Sequence, residues 1–268
     1  MISVELRQLL TRPRTWVSIL LLIGLPVTVA IFLQATKVAP RPGDGPAFLS
    51  QVLSNGTLFA AAALAIVLPL FLPVAVLVIA GDTIAGEAQA GTLRYLLSRP
   101  VGRTRLLVAK LISVIVFVTL AVVLVAGVGY IVGSLMFGSA PIPSLSGGPP
   151  LTPGQTAVRI IVSVLYVGVS MLGVASFGLF LSTLTDAPLA ATLGGLAVLV
   201  TSGVLDQLDA AASVKPYLPT HYWLSFVDLF RNPVLWRGIE RGLALQAVYV
   251  FVLLGASWAV FMTKDITS

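Results

Sequence analysis

The sequence has little charge and no cysteine. Only 10% of its 268 residues are Asp, Glu, Lys or Arg, whereas soluble globular proteins contain about 25%. The absence of cysteine excludes disulfides, thiolate zinc ligands and thiol nucleophiles. One histidine, His221, is present, and no G-x-x-x-x-G-K-[ST] phosphate loop occurs. The residues that remain form no catalytic, cofactor-binding or metal-ligating group.

What the sequence does contain is long apolar runs. Its hydrophobic fraction is 57% and its mean hydropathy is +1.03. About 20 apolar residues suffice to cross the hydrocarbon core of a bilayer as a helix. We therefore predict an all-α, polytopic membrane protein, with residues 1–268 forming a single transmembrane domain. The six predicted spans are Trp16–Ala35, Thr57–Ala80, Leu111–Phe137 (entered through Leu106–Lys110), Ile160–Leu184, Ala187–Leu205 and Gly242–Thr263.

An amphipathic segment precedes the first span. Its apolar residues recur at helical spacing, and Pro13 ends the pattern. This pattern predicts an N-terminal helix lying in the membrane interface. The alternative is a cationic flank that only orients the first span. The apolar stripe consists of Ile2, Leu6, Leu9 and Leu10.

The distribution of Lys and Arg predicts the orientation. Three arginines precede the first span and five basic residues lie between Gly81 and Lys110, whereas residues 138–158 contain none. By the positive-inside rule, we predict that the chain lies in the plasma membrane with both termini and the 81–110 loop on the cytoplasmic side. We therefore expect the formal charge of +6 to interact with anionic lipid headgroups rather than with nucleic acid. The segment Asp206–Arg241 fits this predicted orientation less well. Its aromatic residues suggest short helices that lie at the outer leaflet of the membrane.

The predicted spans contain no Asp, Glu, Lys, Arg or His, which disfavours a proton-driven transporter. Pro69 and Pro73 interrupt the second span, and we consider them candidates for a path or gate, with plain packing as an equal alternative. Glycines within the predicted spans predict close helix approach. They are Gly129, Gly133, Gly168, Gly173 and Gly178.

The loop Gly81–Lys110 holds a large share of the charge. Thr83–Ser98 has helix-favouring composition, and Arg99-Pro100-Val101-Gly102 indicates a turn. We predict a helix on the cytoplasmic surface. It could simply face lipid, but Glu87 and the Gly91-Thr92 step favour the docking of a soluble partner.

This loop resembles the cytoplasmic signature of ABC transporter permeases of the type-two exporter superfamily. The resemblance includes the Gly91-Thr92-Leu93 and Leu96-Leu97-Ser98 steps, Leu218-Pro219-Thr220 and the ending Phe261–Ile266. It implies a permease that pairs with a second copy or a related chain. Such a permease docks on cytosolic ABC ATPase subunits, which carry the ATP and Mg²⁺, so no cofactor belongs to this chain. The resemblance assigns coupling to the ATPase to Asp82, Glu87, Gly91, Thr92, Arg94, Arg99 and Arg103.

The expected function is export of a hydrophobic or amphipathic solute, such as a drug, antibiotic or lipid, from a bacterial cell. The chain itself is expected to be a transport subunit and not an enzyme. Two alternatives remain. One is a membrane-embedded enzyme, for which His221 and nearby acids would be the polar residues. The other is an anchoring or regulatory subunit without its own path.

Overall fold

The computed structural model describes residues 2–38, 40–41, 48–53, 55–91, 102–138 and 150–263. These residues form an all-α bundle, as predicted. The α-helices are α1 (Ile2–Thr11), α2 (Pro13–Thr36), α3 (Phe59–Val67), α4 (Phe71–Gln89), α5 (Arg103–Phe137), α6 (Pro153–Leu184), α7 (Pro188–Gln207) and α8 (Trp236–Thr263).

Six of these helices are long and apolar enough to cross a membrane: α2 and α4 to α8. The prediction of a multi-pass membrane protein is therefore confirmed. The N-terminal helix is also present. It ends at Thr11, and Pro13 takes the first position of α2, where its missing N–H costs no hydrogen bond.

The two ends of the bundle can be told apart by contacts. At one end, Arg103 at the start of α5 donates to the carbonyls of Phe261 and Met262 near the end of α8. Because α1 packs on the same part of α5, we call this the α1 end. At the far end, the N–H of Gly56 donates to the carbonyl of Gly138, just past α5, at 3.0 Å. The N-terminal helix and the end of α8 therefore share one end.

The second crossing differs from the continuous span predicted over Thr57–Ala80. The helix stops at Val67 and restarts at Phe71, so a non-helical step of three residues divides α3 from α4. Pro69 and Pro73 have no N–H, so they cannot donate to the carbonyls four residues earlier. The second half then continues past Ala80 to Gln89, which adds Asp82 and Glu87 to a membrane helix.

The core lies where α6 packs against α4, α5, α7 and α8. Small residues permit the closest crossings. A Cβ at Gly133 would lie 2.0 Å from the carbonyl oxygen of Gly56, and one at Gly178 would lie 2.8 Å from the Cβ of Ala80. Gly129 and Gly173 also lie at close contacts, as predicted. Gly168 does not, because an added Cβ would meet nothing within 4 Å.

The segment between α7 and α8 contains three short 3-10 helices: Asp209–Ala211, Lys215–Tyr217 and Trp223–Phe230. Short helices were expected there, but the aromatic residues divide into two groups. Trp223, Phe226 and Phe230 are buried against the bundle, whereas Tyr217 and Trp236 are exposed. The buried members are therefore core residues, and the position of the segment at the outer leaflet stays a prediction.

Candidate functional site: a buried ion-pair cluster

The most densely charged part of the structure is a cluster of six side chains at the α1 end. Lys110 of α5 is its centre and is only 1% exposed. Its Nζ lies 2.6 Å from Oε1 of Glu87 on α4 and 3.4 Å from Oε1 of Glu5 on α1. One ammonium group therefore connects three helices. Charge-assisted hydrogen bonds of this kind are among the stronger polar contacts in proteins.

Asp82 forms the second half of the cluster. Its carboxylate is buried and accepts one contact from Arg12, between α1 and α2, and another from Arg14, in the first turn of α2. Asp82 and Glu87 are five residues apart on α4, so each carboxylate binds a different part of the chain. The N-terminal segment therefore contacts α4 at two positions, directly at Asp82 and, through Lys110, at Glu87.

The charges in the ion-pair cluster balance. Glu5, Asp82 and Glu87 supply three negative charges, and Arg12, Arg14 and Lys110 supply three positive ones. An isolated buried charge is costly, so pairing is what allows Lys110 and Glu87 to be buried. A cavity of about 30 Å³ lies among these residues, enough for a water molecule.

A serine from α6 braces α4 beside the cluster. The Ser182 hydroxyl donates to the carbonyl of Gly81 at 2.7 Å and accepts from the N–H groups of Ile84 and Ala85 at 3.1 and 2.9 Å. A side chain inserted among backbone hydrogen bonds is a recognised place for a helix to bend. The charged end of α4 is thus held by α6 as well as by α1 and α5.

The structure corrects the placement of two residues predicted to couple to an ATPase. Asp82 and Glu87 were expected in a surface loop, with Glu87 facing a partner. Both lie on α4 and are buried within this chain, at 4% and 6% exposure. The helix predicted over Thr83–Ser98 is, as far as Gln89, the continuation of a membrane helix.

The other predicted coupling residues divide into two groups. Gly91 follows α4 with a φ of +69°, a conformation that favours glycine. Arg103 binds the carbonyls at the end of α8, where a cation complements the helix dipole. Thr92, Arg94 and Arg99 lie outside the described residues.

Sequence reasoning did not find the partners in the ion-pair cluster. It assigned Arg12 and Arg14 to orientation and Lys110 to the entry of the third span. A usable signal was present, because Lys110 interrupts an otherwise apolar run from Leu106 to Phe137. A lysine inside such a run usually has a partner, since an unpaired charge there is expensive.

A second feature lies beside the break between α3 and α4, where Pro69 and Pro73 line a cavity of about 250 Å³. Asp206 and Trp223 line it as well. His221, the polar residue of the enzyme alternative, places Nδ1 2.5 Å from the Asp206 carboxylate. The candidate gate prolines therefore border a cavity that contains polar groups.

Fold and site together define the class: a multi-pass α-helical membrane protein with buried charge at one end and a broken helix within the bundle. Comparison with known families then places the chain. It belongs to the family described as "Protein of unknown function (DUF2705)", whose model matches residues 27–267. The comparison with curated proteins finds no match.

Proposed function

We propose that this chain is the transmembrane permease subunit of an ATP-driven exporter that moves a hydrophobic or amphipathic solute out of the cytoplasm. The resemblance of the 81–110 loop to ABC permeases suggested this function. The observation that supports it best is the ion-pair cluster. It joins α1, the α1–α2 junction, α4 and α5 at the end where residues 90–102 connect α4 to α5.

In this proposal, the ion-pair cluster transmits movement. A cytosolic ATPase binds the 90–102 segment and displaces it when it hydrolyses ATP. Because Lys110 holds Glu87 and Glu5 together, displacement of the end of α4 also moves α1 and α5. Glu87 therefore acts inside the chain by holding α4 to Lys110, and the basic residues of the loop make the contact with the partner.

The break between α3 and α4 supports a moving part in the same crossing. A helix divided at Leu68–Leu70 lacks continuous backbone hydrogen bonding there, so its two halves can change their relative angle. Movement of α4 at the α1 end then alters the cavity beside Pro69 and Pro73. A second permease copy, or a related chain, completes the path.

Co-expression with a cytosolic ATPase encoded beside the gene tests the proposal. The chain should co-purify with the ATPase and stimulate its ATP hydrolysis in liposomes. The double substitution Arg94→Glu/Arg99→Glu should abolish co-purification, whereas Arg241→Glu, a reversal at an exposed residue of the far end, should not. If no ATPase binds and vesicles show no ATP-dependent transport, the proposal is wrong.

The orientation can be tested separately because the chain has no native cysteine. Gln89→Cys lies at the α1 end and Ser213→Cys lies at the far end, and both positions are exposed. An impermeant thiol reagent added to intact cells should label position 213 and leave position 89 unlabelled. The reverse result would place the ion-pair cluster outside the cell and contradict ATPase coupling.

A further inference from the structure

The cavity beside the helix break has a mostly apolar wall. Its volume of about 250 Å³ lies just below the range for drug-sized ligands, so its occupant is small. Leu70 and Leu224 at its edge are each nearly half exposed, so the cavity is accessible from the surface of this chain. The apolar wall consists of Leu68, Pro69, Leu70, Pro73, Leu196, Leu199, Val200 and Leu224.

The polar part of the lining carries a net negative charge. Among the described residues of the lining, Asp206 is the one ionisable residue, and none of them is Lys, Arg or His. His221 lies behind Asp206 and contacts its carboxylate through Nδ1. This contact orients the carboxylate of Asp206, which is the charged group of the described lining. Beside an apolar wall, that charge favours a cationic ligand more strongly than it would in water.

An aromatic side chain contributes to the same lining. Trp223 is 4% exposed, and its indole N–H has no hydrogen-bond partner among the described residues. Indole rings attract ammonium groups electrostatically, and Trp is the best aromatic residue for this contact. A carboxylate, an indole and an apolar wall together complement a molecule with a cationic head and an apolar body.

We propose that this cavity binds a small cationic amphiphile, with its ammonium group near Asp206 and Trp223 and its apolar body against Leu68, Leu70 and Leu199. The ligand binds through charge and apolar contact and undergoes no chemical change. As a statement about the transported substrate, this inference rests on the proposed exporter function. As a statement about binding, it stands alone.

Trp223 can report on binding directly. The chain contains four tryptophans, so Trp16→Phe/Trp236→Phe/Trp258→Phe leaves Trp223 as the one remaining. The full chain is placed in nanodiscs and titrated with benzyltrimethylammonium, or with benzylsulfonate, which has the same ring and the opposite charge. The cation should change Trp223 fluorescence saturably, and the sulfonate should not.

Two carboxamide variants isolate the charge. Asp206→Asn should weaken benzyltrimethylammonium binding about tenfold or more, as expected from the loss of one ion pair. Asp209→Asn is the matched control, because the Asp209 carboxylate is fully exposed and outside the cavity. It should bind the cation with unchanged affinity.

A cavity-filling variant covers the case in which Asp206→Asn fails to fold. Gly203 lines the cavity, and an added Cβ there meets nothing within 4 Å, so Gly203→Leu fills space without a clash at its Cβ. It should abolish the fluorescence change, and Gly255→Leu, equally open but outside the cavity lining, should not. Equal affinity for both probes, or unchanged binding in Asp206→Asn and Gly203→Leu, would overturn the proposal.

The experiment separates this inference from the exporter proposal because it uses neither ATPase nor ATP. Saturable, Asp206-dependent binding in a chain that never binds an ATPase would leave the cavity inference standing and remove the exporter function. ATP-dependent transport by a chain whose cavity does not bind the cation would support the exporter function and remove the cavity inference.

Discussion

At the α1 end, buried Lys110 and Glu87 join the helices through charge, whereas at the far end buried neutral side chains do so and charged pairs such as Asp206–His221 are partly exposed. There, Tyr166 Oη donates to the carbonyl of Tyr222 at 2.6 Å, and Gln246 Nε2 donates to that of Pro219 at 2.8 Å. A buried ion pair is costly when one partner is removed, because the other charge is left unpaired. A neutral hydrogen bond in a membrane protein contributes less, about 0.6 kcal/mol on average. The α1 end should therefore respond to mutation more sharply.

The largest effect should come from Lys110→Met. This change leaves Glu87 and Glu5 facing each other without their cation, and removal of one partner from a buried pair costs about 3–5 kcal/mol. The free energy of unfolding in mixed micelles measures the loss.

The double variant Lys110→Met/Glu87→Leu provides the control. Replacing both members of a buried pair with apolar groups is often neutral, so the double variant should recover most of the stability that Lys110→Met loses. If the double variant is no more stable than Lys110→Met, the pairing of Lys110 with Glu87 is not what stabilises this end.

The contrast between the ends also shows how much the sequence could predict. Apolar runs predicted the six membrane helices, because hydropathy and helix length are properties of local sequence. The partner of Lys110 was not predictable in the same way. Glu87 reaches it only because α4 continues past Ala80 to Gln89 and turns back as α5. The charges of Asp82, Glu87 and Lys110 were therefore assigned to a surface loop, although these three side chains lie inside the bundle.

The prolines illustrate the same limit. The sequence placed Pro69 and Pro73 inside one span and predicted a kink, since each removes a backbone donor. Whether two such losses bend a helix or divide it depends on what packs beside them. Here residues of α7 and Trp223 border the break and leave a cavity, which is a tertiary arrangement that no local pattern encodes.

Asp82→Asn should have the next largest effect. The neutral amide keeps the shape of the side chain but loses the charge that binds Arg12 and Arg14. Both arginines are partly exposed, so water compensates for some of the loss, and we expect about 1.5–3 kcal/mol. The same unfolding assay checks this value. Asp209→Asn, an equivalent change at a fully exposed carboxylate outside the ion-pair cluster, should cost much less than Asp82→Asn.

A packing change at the far end should have a smaller effect than the loss of charge at the α1 end. Gly133→Ala places a Cβ 2.0 Å from the carbonyl oxygen of Gly56 and 2.6 Å from the Cβ of Phe59. The backbone must shift, at a cost of about 1–3 kcal/mol. Gly127→Ala on the same helix meets nothing within 4 Å and should be neutral or slightly stabilising. Equal stability of the two variants would mean that α5 and the start of α3 can separate freely.

The smallest effect should come from Tyr166→Phe. This change removes only the hydroxyl that donates to the Tyr222 carbonyl and keeps the ring in the core. Neutral hydrogen bonds within membrane proteins contribute about 0.6 kcal/mol on average and at most about 1.7 kcal/mol, so the unfolding free energy should fall by an amount in that range. Tyr249→Phe, which removes a more exposed hydrogen bond to the Tyr217 carbonyl, should cost less, because water can replace the lost donor. If Tyr166→Phe instead costs as much as Asp82→Asn, then neutral hydrogen bonds hold the far end as strongly as charge holds the α1 end. The ion-pair cluster would then hold its helices together no more strongly than the far end does. The proposal that the cluster transmits movement from the ATPase would lose its main support.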